Sequence, residues 1–589
     1  MAPFHPRVID RRTFLNRLKS LALAAAHWLL LLFRLTVIGA ALYYSVEHSD
    51  DAWCLLINGS LFLLPFLLLL GLTGRWVWSL SGAAGLALFL YGMGEIKFVY
   101  FYTRLIVADF SFVLEPANWT IVRQYPRIYT VLAGFSTGLL LLIIDATLAT
   151  PRRPRLAGRY RIASLVATGV LVATLAGLRH HHTWEVWLDD ANCNTANKCG
   201  VASRLLFSLQ IYEFEVPRHA GDPTPFLNAE VALGELERPT PDRHPDVVLW
   251  LHESTFNPRQ FKLPGARLPP LPMFENSPQT RAGGLLRTHT FGGKTWLSEF
   301  SALSGLVPDD FGAHRSRVFT TIGTKTNTNL FRVLKAQGYT TIVLMPTFKR
   351  FYGAGRSYEK MGADRILTLR DFPEYDKYPG DEWDIAETPR MAEAAIKLIR
   401  EHRAGPDGAK PLFLYFLSVK EHAPYSAKTP IDYRLDKAPI PKSLAAKLTD
   451  YVKRLVTLDG AVQTMNDYLF AAGAPPVVFA WFGDHQAYYE ADSPPYRFDL
   501  PEPKNITQFQ LRTNYPAARE ATVPFTDIAF LPSLLVDYAG VDRDNYFESL
   551  SAMRRLCRGA LDDCEDKALL DSYKARIFGG EVGLFPVED

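Results

Sequence analysis

Residues Pro475–Gln486 read PPVVFAWFGDHQ. Two prolines open the stretch, a composition that suits the entry to a strand rather than its middle. Val477–Phe482 is then apolar without a break. The run is short, and its β-branched and aromatic content reads as a strand buried on both faces. It stops at Gly483, and Asp484 and His485 stand side by side at its tip. An acid and an imidazole at the mouth of a buried strand raise the question of a shared site.

Other segments repeat the plan. DVVLWL (246–251), GYTTIVLMP (338–346) and KPLFLYFLSV (410–419) are further apolar strands. Amphipathic helices alternate with them: NTNLFRVLKAQ (327–337), ETPRMAEAAIKLIREHR (387–403) and the long stretch 442–472. Such alternation predicts an α/β domain with a mostly parallel sheet covered on both faces. In open α/β sheets ligands bind at the carboxyl ends of the strands. His252-Glu253-Ser254, Lys420-Glu421-His422 and Gly483-Asp484-His485 each follow a strand. Their shared placement brings Glu253, His422, Asp484 and His485 to one edge. Two carboxylates with histidine form a mixed oxygen and nitrogen set suited to one divalent ion, Zn²⁺ or Mn²⁺. Taken singly, each residue is equally well a strand-end cap.

Between these strands lies TFGGKTWLSEFSALSGL (290–306), two glycines followed by Lys294, Thr295 and an amphipathic helix with Leu297, Phe300, Leu303 and Leu306 on its apolar face. Free N–H groups at a helix start favour phosphate. A threonine hydroxyl there, bound to a divalent ion, is a candidate nucleophile toward phosphorus. The alternative is that Thr295 only caps the helix. A P-loop is excluded, because the upstream glycine of that motif is missing from its spacing.

The first third is different in kind. Five apolar runs approach the roughly 20 residues needed to cross a bilayer: Leu21–Tyr44, Leu55–Leu72, Val77–Phe98, Ile128–Leu148 and Ile162–Leu178. Arg34 interrupts the first, which is too long for a signal peptide. Arg7, Arg11, Arg12, Arg17 and Lys19 precede it, Arg75 follows the second run, and TPRRPRLAGRYR (150–161) joins the last two. Positive charge marks these as cytoplasmic, so the chain after the fifth run is exported. Tyr100–Arg127 is expected to lie along the outer interface. The organisation expected is 1–180 transmembrane, 181–243 a linker with a juxtamembrane helix, and 244–589 an extracytoplasmic catalytic domain. A net charge of +3 over 589 residues argues against a nucleic-acid partner.

Cysteine usage agrees with export. Cys193 and Cys199, and Cys557 and Cys564, are close pairs that read as small disulfide loops, zinc ligation being the other use of such pairs. Cys54 is left over as a free thiol, and His180–His182 reads as a wet interfacial cluster.

At these residues the chain resembles the membrane-anchored phosphotransferases of the alkaline phosphatase/sulfatase superfamily: lipoteichoic acid synthases, periplasmic glucan phosphoglycerol transferases and phosphoethanolamine transferases. The matching elements, in order, are VVLWLHES with Glu253, GGKTWLSEFSALSGL with Thr295, SVKEHAPY with His422, and FGDHQ with Asp484 and His485. The resemblance covers nearly the whole chain. It implies that Glu253, Thr295, Asp484 and His485 hold the metal, and that Thr295 attacks a phospholipid headgroup and forms a phospho-threonine. It implies that His422 binds the transferred group or assists proton transfer. The donor implied is phosphatidylglycerol or phosphatidylethanolamine. The acceptor implied is a glycan or lipid of the cell envelope, and the location implied is a bacterial cytoplasmic membrane, multi-pass with the N-terminus cytoplasmic. One departure concerns a tryptophan and an arginine that lipoteichoic acid synthases place against glycerol phosphate. Tyr352 and Ala354 occupy those positions here, with Arg350 or Arg356 as substitutes. Lys294, Tyr352, Arg350 and Arg356 therefore join His422 as expected substrate contacts. Phosphoglycerol is slightly favoured over phosphoethanolamine as the transferred group. A phosphodiesterase of the same fold and a non-catalytic binding protein are the alternatives.

Overall fold

The computed structural model of the chain describes residues 11–47, 49, 52–101, 105–107, 109–110, 126–149, 155–178, 200–209, 216–217, 219 and 221–586, the last range apart from 235, 237, 240, 426–428, 436–438 and 490–491. The chain divides into two compact units, Met1–Glu213 and Phe214–Asp589.

The first unit is helical: α1 (Arg11–Glu47), α2 (Ala52–Thr73), α3 (Trp76–Phe101), α4 (Pro126–Ala149), α5 (Gly158–Leu178) and the short α6 (Val201–Phe207). Each of the five apolar runs read from the sequence falls within one of α1–α5. Among the described residues, three stretches are long and apolar enough to cross a membrane: Leu55–Thr73, Trp76–Lys97 and Gly158–Leu178. Arg161 ties α5 to α2 by donating to the Gly71 and Leu72 carbonyls at 3.0 and 2.7 Å. Asn58 of α2 accepts from the Ser203 hydroxyl of α6 at 3.0 Å. The Cys193/Cys199 pair, His180–His182 and most of Tyr100–Arg127 lie outside the described residues, as does the side chain of Cys54.

The second unit is built on one eight-stranded sheet, in the order β4-β3-β5-β1-β6-β7-β2-β8. The strands are β1 (Asp246–His252), β2 (Thr280–Arg287), β3 (Thr340–Met345), β4 (Arg365–Thr368), β5 (Leu412–Ser418), β6 (Val477–Gly483), β7 (Ile506–Thr513) and β8 (Thr526–Asp527). β4, β3, β5, β1 and β6 run parallel; β7 is antiparallel to both β6 and β2. Every residue of β1, β5 and β6 is buried. Val247, Leu249 and Leu251 face one core, whereas Val248 and Trp250 face the other. This is the period-two alternation of a strand with helices on both sides, and it explains why β1 carries no polar residue between its ends.

Helices fill the two layers. α7 (Thr224–Leu233) buries Phe226 edge-on against Tyr573, their rings 5.2 Å apart. α8 (Thr295–Ser304) inserts Leu297, Phe300 and Leu303 into the same core. α9 (Ala354–Met361), α10 (Thr388–Ala404) and α11 (Lys442–Leu469) follow. α10 and α11 cover the other face with Met391, Leu398, Leu448, Leu455 and Met465. Cys557 and Cys564 are joined in a disulfide.

Candidate active site and metal centre

Register fixes the site. His252 pairs with Ser418 on one side and Gly483 on the other, so β1, β5 and β6 end level. The Glu253 amide continues the ladder to the Ser418 carbonyl at 3.1 Å. Beyond it, Ser254 turns the chain with φ 52°. β6 packs so closely beside this turn that a Cβ on Gly483 would meet the Thr255 carbonyl oxygen at 1.9 Å, so only glycine fits.

Glu253, Asp484 and His485 converge at this edge, each buried, with one ligand atom apiece within 4.8 Å of the others. Asp484 Oδ1 is fixed by the Ser254 and His485 amides at 2.7 and 2.8 Å. Its other oxygen, Oδ2, is buried without a hydrogen-bond partner, and so is His485 Nε2. Nε2 lies 3.0 Å from Glu253 Oε1 and 3.3 Å from Asp484 Oδ2. Nδ1 of His485 meets the Gln486 carbonyl at 2.9 Å. A proton on Nδ1 leaves Nε2 with a lone pair free for a metal, an arrangement usual in metal-binding histidines. Two ligands bonded to one ion at about 2.0–2.1 Å stand roughly 3 Å apart, which the observed spacings match. Orphaned buried atoms of the right chemistry, aimed at one point, fit a divalent cation.

The electrostatics tell the same story. Burial and the charge of Glu253 push the Asp484 carboxyl up, to about 8. Burial would lower His485, but the two carboxylates hold it up at about 9. The three groups titrate as a unit: crowding the carboxylates makes them hold protons, and a cation bound there would take the place of those protons.

Thr295 enters from α8. Gly292 and Gly293 take φ values of 68° and 154°, and Lys294, the residue preceding the helix, is itself left-handed at φ 66°. This tight approach puts Thr295 at the first helical position, with its hydroxyl donating to Glu253 Oε2 at 2.8 Å. Thr295 is therefore more than a cap: its hydroxyl is spent on the acidic group. Ser298, one turn on, donates to the Asp484 carbonyl at 2.5 Å and pins α8 to the tip of β6.

His422 stands at the rim. Its Nε2 is 4.0 Å from Glu253 Oε1, and its side chain is 22% exposed. Burial lowers its pKa, with Glu253 opposing, and favours the neutral ring. Arg454 of α11 holds the turn by donating to the Lys420 and His422 carbonyls at 2.9 and 2.5 Å. Trp383 meets the His422 ring edge-on at 6.3 Å.

The structure thus brings together Glu253, Thr295, His422, Asp484 and His485. Lys294 adjoins Thr295 and is partly buried. Arg350 and Arg356 flank the turn 351–353 and are exposed. The Tyr352 hydroxyl points inward and donates to Glu299 of α8. Glu299 is absent from the sequence-based set. Its only local signal is a charge on a helix otherwise inserted into the core.

Known proteins place this geometry in context. The sulfatase family model matches residues 245–520. An uncharacterised Haemophilus influenzae protein is 30% identical over 545 residues, which is 90% of this chain and 96% of that one. The capsular polysaccharide biosynthesis protein RkpI of Rhizobium meliloti is 23% identical over 260 residues, 44% of each chain. Among solved structures, the Streptococcus pyogenes phosphoglycerol transferase GacH in complex with sn-glycerol-1-phosphate shares the fold, with TM-score 0.50 and 16% identity. It covers 65% of this chain and 97% of GacH. With the family model running from β1 through β7 and a relative matched along nine-tenths of this chain, this chain belongs to the sulfatase family, within the alkaline phosphatase/sulfatase superfamily of enzymes.

Proposed function

We propose that the chain is a membrane-anchored phosphotransferase that moves a phospho-alcohol headgroup from a phospholipid to an envelope acceptor through a phospho-threonine. The observation that carries this reading is Thr295: a hydroxyl at a helix N-terminus, 2.8 Å from Glu253, beside the orphaned atoms of Asp484 and His485.

In the first step Thr295 Oγ1 bonds to phosphorus and the bond from phosphorus to the diacylglycerol oxygen breaks, that oxygen taking up a proton. Glu253 accepts the hydrogen bond of the attacking hydroxyl. The N–H groups that open α8 face the phosphoryl oxygens, and Lys294 adds positive charge beside them. Neutral His422, at the open rim, is placed to bind the transferred group or to assist proton transfer by first taking up a proton at Nε2 and then passing it to the departing oxygen. In the second step an acceptor hydroxyl bonds to phosphorus and Thr295 is released. A divalent cation held by Glu253, Thr295, Asp484 and His485 would supply Lewis acidity, lowering the pKa of the threonine hydroxyl and neutralising phosphoryl charge.

Phosphoglycerol is the favoured cargo, phosphoethanolamine the second. The GacH likeness supports the fold for such chemistry, and the relation to RkpI supports an envelope polysaccharide as acceptor. The five apolar runs α1–α5 would cross the bacterial cytoplasmic membrane and keep the donor lipid within reach, with the catalytic unit exported.

The test is diacylglycerol release by the purified full chain with Mn²⁺ or Zn²⁺, using vesicles of phosphatidylglycerol or phosphatidylethanolamine. Release from one donor, faster when a polysaccharide acceptor is present, is expected. Release from neither donor with either metal overturns the reading.

A further inference from the structure

Glu299 is completely buried in α8, four residues after Thr295. That spacing puts both side chains on one face of the helix. Among the described residues its hydrogen-bond partners are three tyrosine hydroxyls. Tyr358 and Tyr415 donate to Oε1, the latter at 3.2 Å, and Tyr352 donates to Oε2. An acid buried without a cationic partner is costly, and burial lifts Glu299 to about 7 even though the tyrosines pull it down.

The three tyrosines are not equivalent. Tyr358 sits in α9 and Tyr415 in β5 at the centre of the sheet, and both are fully buried. Helix and ladder place these two rings. Tyr352 belongs to a short turn, 351–353, and adopts φ 38°, ψ 21°. A bulky residue rarely enters the left-handed region unless its surroundings hold it there. Its ring lies 5.5 Å from Trp296, the residue next to Thr295, and both rings are only partly buried.

We propose that Glu299 is a positioning residue: fixed by Tyr358 and Tyr415, its carboxylate holds the Tyr352 turn against Trp296, making an aromatic wall beside Thr295 that shapes the subsite for the transferred alcohol. The last clause rests on the transferase reading; the anchoring does not. With its hydroxyl engaged inward, Tyr352 offers the subsite a ring edge, and selectivity there comes from shape rather than from a phenolic hydrogen bond.

Two variants test this in the full chain: Glu299→Gln, and Tyr352→Phe, which deletes one hydroxyl and is the milder change to folding. The first readout is hydrogen exchange across residues 348–355, where the Phe351, Gly353 and Gly355 amides are bonded to the Phe348, Arg350 and Lys349 carbonyls. Both variants are expected to raise exchange there about tenfold or more, with residues 297–304 of α8 unchanged. Unchanged exchange in the turn, or loosening of α8 alone, overturns the anchoring. The second readout is the ratio of kcat/KM for phosphatidylglycerol over phosphatidylethanolamine, expected to move at least about threefold through KM. A loosened turn with KM and the ratio unmoved overturns the subsite role. Should the parent chain release diacylglycerol from neither lipid, the transferase reading and the subsite role fall together, while exchange still decides the anchor.

Discussion

Two groups of buried acid flank Thr295, and they are treated in opposite ways. At the strand tips, Asp484 Oδ2 and His485 Nε2 are left without hydrogen-bond partners. Around Glu299, both carboxylate oxygens are bonded by phenols. A folded protein leaves buried polar atoms unpaired only at a cost, so the first group reads as a set of metal ligands and the second as a completed support. Burial alone does not distinguish a ligand from a post; unmet hydrogen bonds on groups that converge at one point do.

The contrast is broken or sharpened first at Thr295. Thr295→Ala is expected to cut turnover about 10³-fold or more while the chain stays folded and keeps most of its metal. Activity at the parent level would remove Thr295 from the chemistry. Next come the orphaned atoms: Asp484→Asn should weaken retention of Mn²⁺ or Zn²⁺ by at least about 100-fold, read by metal analysis after dialysis. Glu299→Gln, by contrast, should leave metal content as it is. If the two variants lose metal equally, the division between ligand and support fails.

Stability inverts the order. Glu299→Leu strands three phenol hydroxyls, two of them on fully buried rings, and is expected to destabilise the second unit by about 2–4 kcal/mol in denaturant titration. A smaller effect comes from His289, just before the glycine loop, whose Nε2 lies 3.1 Å from Asp527 Oδ1 and whose Nδ1 is 3.8 Å from Asp309 Oδ2. Burial opposes its protonation, but Asp527 and Asp309 prevail and raise it from 6.5 to about 9. The folded state thus holds a proton that the unfolded state releases between those values. The contribution is complete below pH 6.5 and is lost as pH rises through about 9. It should amount to roughly 1–3 kcal/mol, and His289→Gln should flatten the stability slope over that window.

The parallel half of the sheet was legible because β1, β5 and β6 are buried on both faces and carry unbroken apolar runs. Placing acids and histidines at strand ends then located Glu253, His422, Asp484 and His485. β2 and β7 escaped notice for the opposite reason. TRAGGLLR has two glycines and partly exposed residues, and its antiparallel partner β7 lies over 200 residues away, at 506–513. β4 has only four residues. Glu299 was invisible because its tyrosines lie 53, 59 and 116 positions away, and only the folded sheet assembles them. Tyr352 was found by likeness to a substrate contact, but likeness could not tell which way its hydroxyl would turn.

The most direct test of the whole account is peptide mass spectrometry of the full chain after incubation with phosphatidylglycerol or phosphatidylethanolamine and Mn²⁺ or Zn²⁺, without acceptor. The account predicts the mass of phosphoglycerol or phosphoethanolamine on Thr295, and none in Thr295→Ala. Diacylglycerol released in full-turnover amounts with Thr295 unmodified at every time point, and undiminished in Thr295→Ala, would contradict it.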